Sequence, residues 1–566
     1  MISGAEIMVK CLEAEGVDIV FGYPGAAICP FYDKVYDSSI THILVRQEQN
    51  AAHAASGYAR CSNRPGVCVA TSGPGATNLI TGIATAYTDS IPIVAITGQV
   101  RSDLLGRDVF QEADITGACE PFVKHSYLVS KTEDLPRVFK EAFHIASTGR
   151  PGPVLIDIPV DIQENEIESF VNIIGYKPNT KGHAIQVKKA VEAINASKRP
   201  VIVSGGGVLS SGIKLKLQKF AETTGIPVIS TMMGIGVMPS EHELYLGMLG
   251  THGKAVANRA LHEADLVIVC GARLGDRAVA APDQMSENTK VIHIDIDPAE
   301  IGKNVKTEIP IVGDMKNVIN MLLDSIGDYK VTTMWNETVK NWKKDLYREP
   351  PVFDGFVEPR TLVGHLSAMF RSKAILVADV GQNQIWCANN FRIREGRFLT
   401  TGGMGTMGYS IPAAIGAKFA RPDRDVIVIC GDGSFQMGLN ELATIAGNQL
   451  GIKIIIMKNA RLGMVRELQD KHYGGRHSAT ILNGDPDFLK IADAYGIDMQ
   501  RLIQTRKPKT SSRVLLIRKN RSFLFAMFTP TLRQFNEVIK CSIHYQYLLK
   551  IRRAFFQKFR DFSLAE

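Results

Sequence analysis

Glycine runs out before the chain does. All 50 glycines of this 566-residue chain lie at or before Gly496, and residues 501–566 have none. An α/β domain needs glycine wherever its backbone turns tightly, so the last stretch does not read like the rest. Acid is scarce there too. Residues 501–566 hold 15 of the 65 Lys and Arg but only 3 of the 57 Asp and Glu, so they carry +12 while the first 500 residues carry −4. The overall charge of +8 therefore describes neither part. Cysteine is sparse: nine are scattered with no Cys-x-x-Cys pair, which excludes a disulfide framework and a zinc-ribbon site. No apolar run approaches the ~20 residues that cross a bilayer. No basic, apolar leader is seen: Met1 runs directly into an amphipathic stretch with Ile7, Met8, Cys11 and Leu12, so a cytoplasmic setting is expected. A basic segment invites nucleic-acid or membrane-surface readings. Confined to one end of a mildly acidic chain, it is better read as an atypical terminal segment, and neither partner is expected.

What is present is α/β. Three blocks alternate apolar, branched strands with helical stretches, which predicts three consecutive doubly wound parallel-sheet domains. Residues 1–165 carry strand candidates Asp18–Phe21, His42–Val45, Gly66–Ala70 and Pro92–Thr97. Residues 189–345 carry Pro200–Ser204, Pro227–Ser230, Asp265–Cys270 and Val291–Asp295. Residues 359–500 form the third block, and 501–566 the atypical tail. Two polar or proline-rich stretches, Asp161–Lys188 and Tyr347–Glu358, read as linkers.

The third block holds the most chemically explicit motif. The strand candidate Val426–Cys430 runs into Gly431-Asp432-Gly433-Ser434, and a second, Ile452–Met457, runs into Lys458-Asn459. Residues 434–448 between them have helical spacing. A carboxylate and an amide thus stand at the carboxyl ends of two parallel strands, the edge where open sheets bind ligands. Asp432 and Asn459 are hard oxygen donors suited to Mg²⁺ on a diphosphate. Gly431 and Gly433 admit close backbone approach, and Ser434 is expected to start a helix whose N-terminus favours phosphate. Gly-Asp-Gly alone is most often a turn; the paired strands and the Asn make it a candidate thiamine diphosphate site. Glu48 follows the strand His42–Val45 and opens a helix. A first-turn Glu is ordinarily a helix-dipole partner, but thiamine chemistry needs a carboxyl group at N1′ of the aminopyrimidine for acid–base work.

Further segments make a family visible: Phe21-Gly22-Tyr23-Pro24-Gly25, Glu48-Gln49, Thr71–Asn78 (TSGPGATN), Phe110-Gln111-Glu112, Gly149-Arg150-Pro151-Gly152-Pro153 and Gly402–Gly408 (GGMGTMG). In this order the chain, over roughly residues 1–500, resembles the large catalytic subunit of acetolactate (acetohydroxyacid) synthase. The resemblance implies thiamine diphosphate, Mg²⁺ and FAD as cofactors. It implies pyruvate as donor, and pyruvate or 2-oxobutanoate as acceptor of the two-carbon unit, in branched-chain amino-acid synthesis. It also implies a homodimer with Glu48 offered to the other subunit's cofactor, and a small regulatory subunit. Gly25, Gln111 and Lys124 match active-site positions; without the family, Lys124 would read as a solvated surface charge. Gly381, Gln382, Asn383 and Met464 match cofactor contacts, though the family often has His at Asn383. Met407 matches the residue that props thiamine in its bent form, where a Met is otherwise core filler. Asp432 and Asn459 match metal ligands, joined by the Arg461 carbonyl. Arg150, His252, Gly253, Gly271, Arg273, Asp295, Asp297 and Asp314 match the FAD segments, and Arg277 the arginine that pairs with the second oxo acid. Gly205-Gly206-Gly207 is a weaker phosphate cue, equally a tight turn.

Departures from the family pattern matter as much. Gly275 stands in Arg273-Leu274-Gly275-Asp276-Arg277, where a bulkier residue is usual. Leu468 replaces the Trp that favours 2-oxobutanoate, and Lys458 replaces Asn or Asp beside the metal ligand. After Arg501 the resemblance ends: Arg506-Lys507-Pro508-Lys509 and Ile517-Arg518-Lys519-Asn520-Arg521 stand where an acidic helix and a last buried strand are expected. A changed reading frame would explain this, leaving the third domain without closing elements and with exposed strand edges; a divergent interaction arm is the alternative. Rival readings are a related thiamine enzyme, such as pyruvate oxidase or an FAD-free catabolic acetolactate synthase, and an inactive homologue altered at its C-terminus.

Overall fold

A computed structural model describes residues 1–168, 182–279, 289–350, 357–370, 373–484, 486–502 and 523–528. Three six-stranded, fully parallel sheets follow one another. The first is built from β1 (Ile19–Gly22), β2 (Thr41–Leu44), β3 (Gly66–Ala70), β4 (Ile93–Gln99), β5 (His125–Leu128) and β6 (Val154–Pro159) in the order 2-1-3-4-6-5. The second has β7 (Pro200–Ser204), β8 (Val228–Ser230), β9 (Tyr245–Met248), β10 (Leu266–Cys270), β11 (Lys290–Asp295) and β12 (Ile309–Val312) in the order 9-8-7-10-11-12. The third has β13 (Ile375–Ala378), β14 (Arg397–Leu399), β15 (Val426–Gly431), β16 (Ile452–Lys458), β17 (Asp498–Leu502) and β18 (Phe523–Phe528) in the order 14-13-15-16-18-17. The first and third sheets thus share one topology, and the second has the order common in dinucleotide-binding folds. The expected class, three doubly wound α/β domains, is the observed one. A short antiparallel ribbon, Ile2–Ser3 with Glu166–Ile167, ties the first residues to the end of the first domain.

In each sheet the winding changes direction beside the first strand, and glycine-rich turns meet there. Ligand crevices form at such switch points, outside the strand carboxyl ends. After β1 and β3, a Cβ on Gly25 would sit 2.5 Å from Thr71 Cγ2. After β7 and β10, Gly207 presses on Gly271, whose Cα would lie 2.8 Å from a Cβ there. This contact, not a phosphate-ready loop, occupies the Gly205–Gly207 turn. After β13 and β15 come Gly381 and Asp432.

Seven helices position the sites: α1 (Glu48–Ser62), α2 (Pro74–Asp89), α3 (Leu135–Ser147), α4 (Gln382–Asn390), α5 (Ser410–Ala420), α6 (Asp432–Gly438) and α7 (Gly463–His472). Alanine-rich α1 ends where Asn63 turns left-handed at φ 60°. The α2 helix starts on Pro74, whose missing N–H costs nothing in a first turn. Small residues let α1 cross α5 closely: Cβ atoms on Gly57 or Gly416 would run into the carbonyls of Ala413 and Ala54. One apolar core consequently spans the first and third domains, from Ile43 and Ala55 to Ile415 and Phe435.

Three expectations are corrected. Helix α6 begins at Asp432, not Ser434; it is short, and the helical stretch continues as Leu439–Glu441 and Leu442–Gly447. The stretch read as a linker up to Lys188 contains a helix, Ala184–Ala196, packed on the second core through Val187, Val191 and Ile194. Its residues 169–181, and 351–356 of the second expected linker, lie outside the described residues. Most consequentially, the third sheet draws a strand from the segment expected to contribute none. β18 pairs parallel with both neighbours, Lys453↔Phe523 through Lys458↔Phe528 on one side and Asp498↔Phe523 through Leu502↔Met527 on the other. The β16 edge is therefore covered. An apolar run with three phenylalanines, Phe523–Phe528, takes that slot whatever its origin. The basic motifs Arg506–Lys509 and Ile517–Arg521 lie outside the described residues.

Candidate active site

Two clusters form at the strand carboxyl ends. In the first domain, Glu48 is the first residue of α1 and half-buried. Its Oε2 accepts from Asn78 Nδ2 at 2.9 Å, and its Oε1 lies 3.5 Å from where a Cβ on Gly75 would stand. The Gln111 backbone packs on Gly73, with its Cα 3.0 Å from a Cβ placed there. Gln111 is held at φ 62°, a conformation that costs a non-glycine residue of order 1–3 kcal/mol and tends to persist at functional sites. Glu112 holds that turn by accepting from Gly106 N and Val109 N. Gly25, Glu48 and Gln111 are thus brought together around Thr71–Gly75.

Beneath this loop lies a network that sequence reading missed. Buried Asp157 accepts from Thr97 Oγ1 at 2.6 Å and Gln99 Nε2 at 2.9 Å; Gln99 Nε2 also reaches Ala113 O at 2.8 Å. Burial, opposed by those two donors, pushes the Asp157 carboxyl up to about 7.

Lys124 does not join Glu48. Its Nζ donates to the carbonyls of Ile145 and Thr148 at the end of α3, a favourable place for a cation. Burial, then the neighbouring Arg150, brings its ammonium down to about 8.

The third-domain cluster contains Gly381, Gln382, Asn383, Met407, Gly431, Asp432, Gly433, Asn459 and Met464. Asp432 Oδ2 accepts from Ala460 N at 2.7 Å and Oδ1 from Gly433 N at 3.2 Å. Burial raises its carboxyl above the ordinary range, and these hydrogen-bond partners are amides, not cations. Asn459 Oδ1 accepts from Arg461 N at 3.0 Å, and its Nδ2 points to Gln382 Oε1 at 3.4 Å. Met407 Cε lies 3.6 Å from a Cβ placed on Gly433. Ser434 Oγ bonds back to Gly431 N at 3.1 Å. Asn383 is turned inward: Nδ2 donates to Asp379 O at 2.7 Å and Ile429 O at 3.2 Å. Its side chain therefore braces β13 against β15. Met464 lies in the first turn of α7, half-buried. Lys458 Nζ sits 5.3 Å from the Phe488 ring centroid. Val465 and Leu468 are exposed on α7.

Asp379 is the residue this cluster depends on and the sequence did not flag. Fully buried after β13, it accepts from Val380 N, Gly408 N, Ser410 N and Ser410 Oγ at 2.6–3.0 Å. An acid directly after an apolar strand and two residues before Gly381 was the available signal.

The residues matched to flavin contacts gather at the carboxyl edge of the second sheet. Arg150 reaches across from the first domain, 2.7 Å from Glu300 Oε1 and 3.5 Å from Asp297 Oδ2. Asp295 Oδ1 accepts from Asp297 N at 3.0 Å, and burial raises its carboxyl. Gly271 is left-handed at φ 57°, and the Arg273 carbonyl accepts from Asn304 Nδ2 at 2.8 Å. His252 is exposed and Gly253 half-buried; the His252 carbonyl accepts from Asn389 at 2.8 Å. Asp314 instead caps the helix Met315–Ser325 through Lys316 N at 2.8 Å. Arg277 is well exposed, 3.5 Å from an equally exposed Asp276.

Comparisons agree with this geometry. Residues 2–118 match the thiamine pyrophosphate enzyme N-terminal TPP binding domain, 187–322 the central domain and 379–516 the C-terminal TPP binding domain. The chain is 48% identical over 518 residues to a probable acetolactate synthase large subunit of Methanocaldococcus jannaschii, covering 89% of this chain and 88% of the relative. It is 44% identical over 508 residues to the acetolactate synthase large subunit of Haemophilus influenzae, covering 88% and 89%. With that of Corynebacterium glutamicum it shares 46% over 512 residues, 88% and 82% of the two chains.

Proposed function

The chain belongs to the acetolactate synthase large-subunit family of thiamine diphosphate enzymes, and on that premise we propose how its residues divide the work. The reaction is the carboligation of pyruvate with a second 2-oxo acid, pyruvate or 2-oxobutanoate. Thiamine diphosphate, when bound, supplies the electron sink for decarboxylation and carbon–carbon bond formation.

The observation that carries the metal assignment is the donor set at the third sheet's switch point. Among the described residues, the buried carboxylate of Asp432 has amide partners and no cation in its hydrogen bonds, and Asn459 Oδ1 stands on the neighbouring strand end. Hard oxygens of this kind suit Mg²⁺, with the Arg461 carbonyl as a third. Gly381, Gln382, Gly431, Gly433 and Ser434 would line the diphosphate, and Met407 and Met464 the thiazolium side. Asn383 would act by bracing the turn. Glu48 would hold a proton at N1′, and Gln111 would orient the substrate beside it. Arg277, exposed and 3.5 Å from Asp276, would pair with the carboxylate of the second oxo acid. Lys124 is assigned no step, because its ammonium is spent on Ile145 and Thr148.

The Glu48 carboxylate is engaged by first-domain residues, so we assign it to the cofactor of a second copy, which makes a homodimer the active unit. Mixing Glu48→Gln chains with Asp432→Ala chains tests this. Each is inactive alone, and the mixture regains activity because one of its hybrid sites is intact; a mixture as inactive as its components contradicts the split site.

FAD fits the second sheet on its strand order, the acid ending β11 and the Arg150 bridge. Flavin absorbance co-purifying with the chain, and lost in Arg150→Ala, tests it. A small regulatory subunit is part of the same reading, tested by co-purification. Among the described residues no helix is long and apolar enough to cross a membrane. The glycine-free, basic sequence after Arg501 is assigned to a changed reading frame. Translating the coding DNA in the other two frames should give an acidic helix and a branched strand; neither frame doing so contradicts it.

A further inference from the structure

Met407 sits in a third-domain loop that the first domain holds. Arg60, on α1, donates through Nη1 to Thr400 O at 2.7 Å and Tyr409 Oη at 3.2 Å, gripping both ends of the segment. Asp89, the last residue of α2, accepts from Gly403 N at 2.8 Å and from Gly402 N at 3.2 Å. Thr85, one turn earlier, meets Thr406 with Oγ1···Oγ1 at 2.7 Å. The single Thr85 hydroxyl proton is spent on Thr81 O at 2.7 Å, so Thr406 is the donor in that pair. A Cβ on Gly403 would lie 2.7 Å from Thr88 Cβ, so the loop rests directly on the end of α2.

Asp89 is costly where it stands. The last turn of a helix is its negative end and disfavours an acid. Burial raises its carboxyl, opposed by the charge of Arg60 and by the amides of Gly403 and Gly402. A carboxylate at that place does nothing for α2 itself; what it satisfies is the loop. From the other side, Asp379 holds Gly408 N and Ser410 N at 3.0 and 2.9 Å. Met407 is thus suspended between two carboxylates from two domains. The first turns of α2 meanwhile carry Asn78, the partner of Glu48. Asn78 and Asp89 are eleven residues apart, about 16 Å along the helix.

We propose that Asp89 is a positioning residue for the thiamine reaction: it fixes Gly402 and Gly403 and so sets the side chain of Met407 against the cofactor. The proposal rests on the reading of the third-domain cluster as the thiamine diphosphate site. It also makes cofactor geometry answer to the seating of the first domain of the same chain.

The test uses the full chain with Mg²⁺ and thiamine diphosphate, and reads two quantities. One is cofactor affinity by calorimetry. The other is the rate of hydrogen–deuterium exchange at thiazolium C2 of the bound cofactor, which depends on the bent form that Met407 supports. Asp89→Ala, which removes the acceptor of both amides, should slow exchange about tenfold or more, within the up to about 10²-fold that a 1 Å misplacement can cost, while affinity stays within about threefold. Thr85→Val, which removes the acceptor of Thr406 and leaves Arg60 its carboxylate, should slow exchange in the same direction; it carries the test if Asp89→Ala does not fold. Exchange per bound cofactor at the wild-type rate in the variants overturns the proposal, even if affinity and melting temperature fall, because that pattern is purely structural. A wild-type chain that binds no thiamine diphosphate overturns the site reading and this proposal together. A wild-type chain that binds and exchanges, with variants that match it, overturns this proposal alone.

Discussion

Asn78 donates its Nδ2 to Glu48 Oε2 at 2.9 Å, from the second turn of α2 to the first residue of α1. The bond fixes the carboxylate over Gly75, on the side of the crevice where β1 and β3 part. A carboxylate that must hold a proton at a defined atom gains from such an orienting donor. Asn78→Ala is expected to lower kcat roughly tenfold with little change in thiamine diphosphate affinity, since it removes orientation and not the acid. Steady-state rates beside cofactor titrations check it; an unchanged kcat contradicts it.

Asp157 gives the first domain a pH signature. Its carboxyl is pushed up to about 7 in the fold, against ~3.9 in an unfolded chain. Below about pH 4 both states hold the proton. Between there and pH 7 only the folded chain does, so stability falls as pH rises, and above 7 the loss is complete. Thermal midpoints should therefore decline across that window, and Asp157→Asn should flatten the decline. An identical slope in the variant contradicts the assignment.

Leu468 and Val465 are exposed on α7, 54% and 47% accessible. On the proposed family assignment of this position to the acceptor side, a leucine supplies no aromatic wall, so preference for 2-oxobutanoate over pyruvate is expected to be weak. Leu468→Trp should raise that preference by about tenfold, the scale of one well-placed apolar contact. Competition between the two acceptors, read as product ratio, decides. A strong wild-type preference contradicts the expectation.

Arg150 joins the first domain to the second through Glu300, whose side chain is 7% exposed. Among the described residues, removing the arginine leaves that acid with Lys303 as its ion-pair partner at 3.5 Å. Arg150→Ala should cost about 1–3 kcal/mol in chemical denaturation and weaken flavin retention. Full stability in the variant contradicts the bridge.

Much of this was legible in the sequence where the signal is local. Val426–Ile429 and Ile454–Ile456 are the branched runs that parallel strands buried on both faces require, and Asp432 and Asn459 follow the ends of their strands. Edge strands were harder. His125–Leu128 and Arg397–Leu399 are short and carry polar or charged residues, because one side of an edge faces solvent. Asp379 was missed although its neighbours were read, since its partners Gly408 and Ser410 are distant in sequence. Asp89 had no signal: Gly402 and Gly403 are more than 300 residues away. Lys124 and Asp314 were drawn from family position, and local geometry spends both on helix ends. The third sheet's missing strand was inferred from composition. Yet Phe523–Phe528, an apolar run with three phenylalanines, takes that place.

The decisive measurement is acetolactate formed from pyruvate by the purified full chain, with thiamine diphosphate, Mg²⁺ and FAD supplied. The wild-type chain should give product, and Glu48→Gln should lose at least about a hundredfold, the scale of removing a positioned acid–base group. No product under these conditions, or product undiminished in Glu48→Gln, would contradict the carboligase assignment.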